Sequence, residues 1–342
     1  MKLASLALLF VINIWMVVAA PAPINYNDGT FNYWLSDTDK KATVMGVDPK
    51  FKDAYELTLN PWVTYNGQRY YVKQIGAGAF SNTQVVDLIV PSDIEIMNFS
   101  SRAFFNAQYI RTIDLRNQKV SADIGAFENC GRNLSFIGKG VESLVDSYSK
   151  NLLKQWGLPV NKDYTNLPDI DRMKDLYTLA RKVSENISYY SNTGNPSNTA
   201  VVMVFGKGDS NGIARVYRNL AINMGIPIND VQVGGDGQYF SWNYVYVLRK
   251  WYNVDIIHYK FGKYSTYESS LFTTDRNQRE VIRKGYGYSS VDDVKPIKKW
   301  IIYINRYNYY DEWKYNYPYR QGSNTEIFED WLIRNRQGVR AD

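Results

Sequence analysis

The chain has 342 residues, of which 45% are apolar and 22% are charged. This composition excludes an intrinsically disordered chain, and the length is sufficient for two domains. The formal net charge is +6, but the 40 basic residues are scattered among 34 acidic ones, so no basic stripe that would bind nucleic acid is visible. A single cysteine excludes an intramolecular disulfide, and with a single histidine it also excludes the usual zinc ligand sets. We therefore expect no metal and no cofactor.

The first 20 residues have the features of a secretory signal peptide. Lys2 precedes an apolar stretch from Leu3 to Val18, and the small residues Ala19 and Ala20 follow. The stretch is short for a membrane span, which favours cleavage near Ala20 over a membrane anchor. We expect the mature protein to be secreted and extracellular, with no membrane span after signal cleavage. Three sequons agree with this route as candidate glycosylation sites: Asn98, Asn133 and Asn186.

The first predicted elements after the signal are strands. Phe31–Leu35 is predicted to be a capping strand. Val63–Val72 is predicted to be a hairpin, because the dipeptide Asn66-Gly67 lies between alternating apolar residues.

A repeat follows between about Gly76 and Ile137. The dipeptide Ala-Phe ends at Phe80, Phe104 and Phe127, with spacings of 24 (80 to 104) and 23 (104 to 127) residues. Apolar residues follow the three dipeptides in turn: Val86, Leu88 and Val90; Ile110, Ile113 and Leu115; Leu134 and Ile137. A period of about 20–29 residues with one short strand per unit is typical of a leucine-rich solenoid.

The position three residues after each repeat phenylalanine carries a small residue. These residues are Thr83, Ala107 and Cys130. A tightly stacked turn needs a small side chain there, and a buried cysteine packs as a small hydrophobic residue. We therefore predict that Cys130 is structural and that it is not a nucleophile.

These residues resemble the BspA-like leucine-rich repeats. Residues 75–80 read Ile-Gly-Ala-Gly-Ala-Phe and their unit ends at Pro91, which fits the pattern of that family. The resemblance covers residues 28–140 and implies a short leucine-rich-repeat solenoid with an N-terminal β-hairpin cap. It also implies an interaction at the cell surface or matrix, with a protein or a glycan as the partner and no nucleic acid.

Helical periodicity replaces the repeat from Val141 onward. Apolar residues recur at helical spacing as far as Leu153, and Gly157 ends this helix. We interpret residues 141–168 as a helical connector and predict an amphipathic helix over Asp169–Tyr190. The next apolar run, Val201–Phe205, has the character of a strand.

A glycine-rich loop then leads into a predicted helix over Ile213–Leu220, which Gly225 ends. The spacing of the loop glycines leaves dinucleotide binding as an alternative, although no alternating strand–helix array follows. The other interpretation is a nucleophile on the first turn of the helix, where the helix dipole stabilises an anion. Tyr239–Val247 and Trp251–Asp255 are predicted to be strands, and the second delivers a carboxylate.

This order of segments is similar to that of the transglutaminase-like superfamily. Residues 208–214, 240–243 and 251–255 correspond to its Gly-x-Cys-x-Gly-Tyr-Ala, His-Ala-Trp-Asn and Trp-x-x-Val-Asp segments. Residues 225–227 match its Gly-Ile-Pro, and residues 271–275 resemble a later element. The resemblance covers residues 169–276. It implies an α+β domain over residues 169–285, in which a helix packs on an antiparallel sheet.

Two of the three catalytic positions implied by this resemblance are changed. The cysteine, histidine and aspartate of the family fall on Ser210, Phe240 and Asp255. A serine needs an adjacent base before it can attack, and phenylalanine cannot accept a proton. We therefore expect an inactive domain that binds through its repeat surface and a vestigial cleft. Five residues are predicted to line the cleft: Tyr217, Tyr239, Trp242, Asn243 and Trp251.

Two alternatives remain open. The first is an active acyl-transferase or peptide hydrolase that uses Ser210, for which His258 and Asp209 are the candidate bases. The second is a structural secreted protein, since 29 residues are tyrosines and residues 286–342 form a Tyr-rich extension with a closing helix predicted over Thr325–Arg336.

Overall fold

The computed structural model of the protein describes residues 22–131, 133–190, 199–235, 241–247, 250–257 and 271–273. The predicted signal peptide and the predicted C-terminal extension lie outside these residues, and so do Tyr239, Phe240 and His258. The described chain is a mixed fold in which strands predominate up to Ile137 and helices follow.

Two sheets form the N-terminal half. Sheet A contains β1 (Ile24–Asn27), β2 (Phe31–Ser36), β3 (Lys41–Val47), β6 (Gln68–Ile75), β8 (Ile96–Phe99) and β10 (Lys119–Ala122) in this order, with β5 (Trp62–Tyr65) also paired to β6. Sheet B contains β4 (Glu56–Thr58), β7 (Asp87–Val90), β9 (Thr112–Leu115) and β11 (Ser135–Ile137).

The chain alternates between the two sheets and so winds as a coil. The pairs β3–β4, β6–β7, β8–β9 and β10–β11 each contribute one strand to sheet A and one to sheet B. Successive coils pair in parallel in both sheets. We call these coils, together with β1, β2 and β5, the repeat module.

The predicted capping strand and hairpin are confirmed. Phe31–Leu35 lies in β2, which pairs antiparallel with β3. β5 and β6 pair antiparallel around Asn66 and Gly67, whose φ angles are 49° and 73°. A type I′ turn requires φ above zero at both central residues, which Asn and Gly adopt at low cost.

The first coil was not predicted from the sequence. No Ala-Phe turn connects β3 to β4. Instead, a short 3-10 helix, Pro49–Phe51, is capped by the side chain of Asp48, which accepts the N–H of Lys50. β3 and β4 form a coil only because they pair with β6 and β7. The local sequence therefore did not predict this coil.

The three Ala-Phe turns stack directly on one another. The ring centroids of Phe80 and Phe104 are 5.0 Å apart, and those of Phe104 and Phe127 are 5.2 Å apart. The backbone N–H of Phe80 donates to the Ala103 carbonyl and that of Phe104 to the Ala126 carbonyl, each at 2.9 Å. These three rings form the phenylalanine column, which joins the predicted repeats through their turns.

An asparagine follows each of these phenylalanines by two residues. Asn82, Asn106 and Asn129 have φ angles of 57°, 59° and 61°, a left-handed conformation that asparagine tolerates better than most residues. The amide of Asn106 donates to Oδ1 of Asn82 at 2.6 Å. The side chain of Gln108 donates to the carbonyl of Asn129. The repeat therefore extends to backbone conformation as well as to apolar side chains.

Two apolar residues of the repeat pattern, Val86 and Ile137, are only partly buried, and a neighbouring residue is buried in each case. Val85 is fully buried, whereas Val86 is only partly buried. In sheet B, Leu88 of β7 pairs with Ile113 of β9, and Phe136 of β11 pairs with the same residue. Phe136 is therefore the buried residue of β11, and Ile137 is only partly buried. The repeats differ in length, so the offset from the phenylalanine shifts between them.

Cys130 is buried, as predicted. Only 5% of its surface is exposed. Its Sγ donates to the Phe104 carbonyl oxygen of the preceding coil at 3.1 Å. Burial raises the pKa of the Cys130 thiol to about 12. The thiol is therefore neutral at physiological pH, and it packs in the turn.

Four α-helices follow the repeat module in the described residues. They are α1 (Val141–Gln155), α2 (Asp169–Asn186), α3 (Thr199–Phe205) and α4 (Ser210–Met224). The helices predicted after Val141, after Asp169 and around Ile213–Leu220 are thereby confirmed. The strand-like interpretation of Val201–Phe205 is wrong, because this run lies in α3. A short apolar run gives no periodicity that separates a buried helix from a buried strand.

α1 covers the last coil of the repeat module. Ser143 Oγ accepts the N–H of Val120 at 2.6 Å, and the Asn151 amide donates to the Ala122 carbonyl at 2.9 Å. These side chains satisfy backbone groups of β10, which is the edge strand of sheet A. An open edge would otherwise be a template for aggregation.

The opposite side of α1 packs on α3 and α4. Ser149 Oγ donates to Asn219 Oδ1 at 2.7 Å, and the Asn223 amide donates to Asp146 Oδ1 at 2.9 Å. The segment predicted to be a connector therefore contributes a helix that is packed on both sides.

A third sheet, sheet C, packs against α4. It contains β14 (Val231–Gly235), β15 (Ser241–Val247), β16 (Lys250–Val254) and β17 (Leu271–Thr273), and neighbouring strands are antiparallel. Two short parallel strands, β12 (Ser188–Tyr189) and β13 (Lys207–Gly208), precede it. α4 contacts both β14 and β15.

We predict that Phe104→Ala lowers the free energy of unfolding by about 3–5 kcal/mol, because Phe104 is fully buried at the centre of the column. Phe105 is the matched control, since it is only partly buried and lies outside the column. Urea denaturation followed by circular dichroism measures both variants. An equal loss of unfolding free energy for Phe105→Ala and Phe104→Ala would show that the column contributes no more to stability than a partly buried phenylalanine outside it.

We predict that Cys130 of the folded protein does not react with a disulfide reagent such as DTNB at pH 8, and that it reacts rapidly in urea. The unfolded thiol loses its proton near the ordinary pKa of 9.0, and the folded thiol keeps it until about 12. The thiol therefore contributes stability that is fully present below pH 9 and is lost as pH rises from about 9 towards 12. Urea denaturation should show that the free energy of unfolding falls less between pH 7 and pH 10 in Cys130→Ala than in the wild-type protein. Rapid labelling of the folded protein would contradict burial.

Candidate functional site

The predicted nucleophile position lies at the start of α4. Ser210 is the first residue of the helix and is 5% exposed. Asp209 is the N-cap, and its carboxylate accepts the backbone N–H of Gly212 at 2.7 Å. This bond occupies one of the free N–H groups of the first turn. Asp209 therefore has a structural role in starting the helix.

Asn243 connects sheet C to the same helix. It lies in β15, is 1% exposed, and its amide donates to the Ala214 carbonyl of α4 at 2.8 Å. Its neighbour Trp242 is 6% exposed. Both residues were predicted to line a cleft, and the structure buries both, with Asn243 against α4.

Asp255 directly follows β16 and is 2% exposed. The preceding residue, Val254, pairs with Asn243 of β15. β15 therefore contacts α4, which begins at Ser210, and pairs with β16, which Asp255 follows. Trp251 lies in β16, where it pairs with Tyr246.

Tyr217 does not line a cleft. Its side chain is fully buried, and its hydroxyl donates to the Leu176 carbonyl of α2 at 3.3 Å. Burial raises the pKa of the Tyr217 hydroxyl well above its usual value. The prediction is wrong because α2 covers the face of α4 that carries Tyr217. A helical pattern cannot show which neighbour covers a given face.

Two buried arginines of α4 were not predicted as site residues from the sequence. Arg215 is 2% exposed, and its Nε donates to Asn211 Oδ1 at 3.0 Å. Arg218 is 6% exposed, and its Nε donates to the Val231 carbonyl at 2.8 Å. The i, i+4 spacing of Asn211 and Arg215 was a signal for the first contact. The second depends on sheet C and has no local signal.

The outward face of sheet A is the second candidate site. One register row crosses six strands of the sheet: Asn25, Trp34, Thr43, Gln74, Asn98 and Ser121. A second row contains Ser36, Lys41, Tyr71 and Trp62. It lies two residues from the first row on β2 and β3 and three residues from it on β6, where the register with β3 shifts. No residue of either row is fully buried, whereas the core side chains of the same strands are, so both rows project from the face opposite to the core. We call these two rows the aromatic face.

Three large aromatic residues of this face are open to solvent. Trp34 is 48% exposed, Tyr71 is 48% exposed and Trp62 is 39% exposed. The guanidinium of Arg69 lies 5.0 Å from the centre of the Trp62 ring, at cation–π distance. Trp62 and Tyr71 are direct cross-strand partners.

The strands of the two sheets differ in their charged residues, although Lys119 of sheet A pairs with Glu95 and Asp114 of sheet B pairs with Arg116. The seven strands of sheet A, all described, contain four basic residues and no acidic one: Lys41, Arg69, Lys73 and Lys119. The four strands of sheet B, also described in full, contain three acidic residues and no basic one: Glu56, Asp87 and Asp114.

The three sequons lie at different kinds of position. Asn98 is in β8, where its Oδ1 accepts the Ser121 hydroxyl at 2.8 Å. Asn133 is exposed after the last Ala-Phe turn, and Asn186 is exposed at the end of α2. Glycosylation at these residues stays a prediction.

Among the described residues, the helices are either too short or too polar to cross a bilayer. The same part of the chain contains no cluster of three or more His, Cys, Asp or Glu residues that could hold a metal ion.

No protein-family model matches the chain, and no curated protein matches it. Two solved structures are similar in part. A leucine-rich cell surface protein from Faecalibacterium prausnitzii is 21% identical, with a TM-score of 0.26, over 37% of this chain and 33% of that protein. A leucine-rich repeat protein from Bacteroides ovatus is 19% identical, with a TM-score of 0.25, over 35% of this chain and 39% of that protein. The chain thus spans well under half the length of either structure.

We predict that Asp209→Ala lowers the free energy of unfolding by about 1 kcal/mol, because it removes the N-cap bond to Gly212. Asp209→Asn is the matched control, since asparagine caps a helix about as well and carries no charge. Thermal and urea denaturation measure both variants. If Asp209→Asn loses as much stability as Asp209→Ala, the charge of Asp209 matters beyond the cap.

Proposed function

We propose that the protein is an extracellular binding protein that recognises its partner through the repeat module and whose second half is catalytically inactive. The observation that carries the binding part is the exposure of Trp34, Trp62 and Tyr71 on one face of sheet A. Large aromatic side chains left in water and grouped on one face are typical of interaction sites.

The pairing of the strands supports this interpretation of the aromatic face. Phe31, Tyr33 and Leu35 of β2 are buried on the inner face, and they give this strand its share of the core. Trp34 points the other way and is not needed for that core. Its exposure is therefore explained better by contact with a partner than by folding.

The chemistry of the second half supports the inactive part. Phe240 occupies the position that resembles the base of transglutaminase-like enzymes, and phenylalanine accepts no proton. Asp209 caps α4, and Asn243 holds β15 to the same helix. The predicted cleft residues that the structure describes with their side chains are buried, so we place recognition on the repeat module alone.

We predict that a fluorophosphonate probe labels the wild-type protein no more than it labels Ser210→Ala. A serine is activated for this reaction by an adjacent base. In-gel fluorescence of the full chain measures the labelling, and turnover of p-nitrophenyl acetate gives a second readout. Labelling or turnover that disappears in Ser210→Ala would overturn the inactive part and establish an acyl-transfer or hydrolase activity.

The binding part is tested on an array of extracellular matrix proteins and purified glycans. We expect saturable binding of the full chain to at least one component. Binding should be unchanged in Ser210→Ala and weakened at least about tenfold in the double variant Trp34→Ala/Tyr71→Ala, as expected for residues at the centre of an interface. Tyr55→Ala is the control, because Tyr55 is 70% exposed and precedes β4 of sheet B. Binding to no component, or binding that these aromatic substitutions do not affect, would contradict recognition through this face.

A further inference from the structure

The arrangement of the three exposed aromatics points to the chemistry of the partner, and this inference rests on the proposed binding function. Trp34 lies on β2, Tyr71 on β6 and Trp62 on β5, so the first two are separated by two strand spacings and the last two by one. Neighbouring strands are about 4.8 Å apart, so the three rings extend over roughly 14 Å across the sheet. An extended, flat partner suits this surface better than a compact one.

Polar side chains surround the rings on the same face. The row that contains Trp34 also carries the amides and hydroxyls of Thr43, Gln74, Asn98 and Ser121. Six residues at about 4.8 Å spacing make this row about 24 Å long. A pyranose ring has an apolar C–H face and a rim of hydroxyl groups. Aromatic rings can stack on the first, and neutral amides and hydroxyls can bond the second.

Hydrogen bonds hold these polar groups in place. Gln74 Nε2 donates to Ser100 Oγ at 2.6 Å, and Ser121 Oγ donates to Asn98 Oδ1 at 2.8 Å. The ammonium group of Lys41 donates to Gln74 Oε1. Side chains that are ordered before binding lose less conformational entropy when a partner contacts them. The row is therefore preorganised beside the aromatic rings.

The charge of sheet A indicates which class of sugar polymer suits this face. Its strands carry Lys41, Arg69, Lys73 and Lys119 and no carboxylate, although Glu95 directly before β8 pairs with Lys119 at 3.6 Å. This excess of basic residues favours an anionic partner. A single nucleic acid strand carries a charge about every 3.4 Å. Four basic residues on a face of mostly neutral polar groups match a lower charge density, such as carboxylates on a polysaccharide.

We infer that the aromatic face of sheet A binds a carboxylated polysaccharide, with Trp34, Tyr71 and Trp62 stacking on sugar rings and Lys41 facing the carboxylates. The neutral polar row contacts the hydroxyl groups of the sugars. The polymer lies across the strands of the sheet, because both rows run in that direction.

The test is affinity electrophoresis and isothermal titration calorimetry of the full chain with polygalacturonate. Dextran is the neutral comparison polymer. We expect retardation by polygalacturonate and none by dextran. Trp34→Ala/Tyr71→Ala should weaken the affinity for polygalacturonate at least about tenfold. Lys41→Gln should weaken it up to about fivefold and reduce its dependence on salt.

Matched controls separate this face from a general charge effect. Tyr109 is 56% exposed and precedes β9 of sheet B, so Tyr109→Ala should leave the affinity unchanged. Circular dichroism and urea denaturation establish that each variant is folded, which we expect because the substituted side chains lie at the surface. Equal weakening by Tyr109→Ala and by Trp34→Ala/Tyr71→Ala would overturn the assignment to sheet A.

Other outcomes distinguish this inference from the proposed function. No retardation by polygalacturonate, together with saturable array binding to a protein that Trp34→Ala/Tyr71→Ala weakens, overturns the polysaccharide and leaves the binding function standing. Tighter binding of a sulfated polysaccharide or of single-stranded DNA through the same residues likewise overturns the carboxylated partner. No binding on the array and none to polygalacturonate overturns both proposals.

Discussion

Stacking of each coil on the next is the constraint on which the structure depends. One coil contributes a single short strand to each sheet and cannot bury its own apolar side chains. Phe80, Phe104 and Phe127 join three coils through ring contacts at 5.0 and 5.2 Å. The backbone bonds of the turns set the same spacing. Because the coils are held in register, side chains at equivalent positions form straight rows on the outward face of sheet A.

The open ends of such a stack need protection, and the chain provides it at both ends. β1 and β2 extend sheet A beyond the first coil in antiparallel pairing. α1 covers β10 with hydrogen bonds from Ser143 and Asn151. The second half of the protein then packs on the other side of α1. The polar contact between Ser149 and Asn219 joins the halves within a buried interface, so the repeat module and the α4–sheet C unit share one continuous core.

The two candidate sites differ in how their polar residues are used. Around α4, Asp209, Asn243 and Arg218 bond backbone groups of the fold, and their side chains are committed to holding helix and sheet together. On sheet A, the aromatic side chains face solvent and contribute little to the core. Selection for stability alone would favour polar residues at such positions. These differences are the basis of the proposal that recognition takes place on the repeat module.

Local sequence determined the elements whose causes are local. The Asn66-Gly67 hairpin, the helix starting at Val141, the end of α4 at Gly225 and the burial of Cys130 all follow from turn chemistry or periodicity. Tertiary structure decided everything that depends on which segments meet. The first coil exists only because β3 and β4 find parallel partners, and Tyr217 is buried only because α2 covers it. Trp34, Tyr71 and Trp62 form one face because strand pairing across sheet A aligns residues that are far apart in the chain, and no local pattern records that alignment.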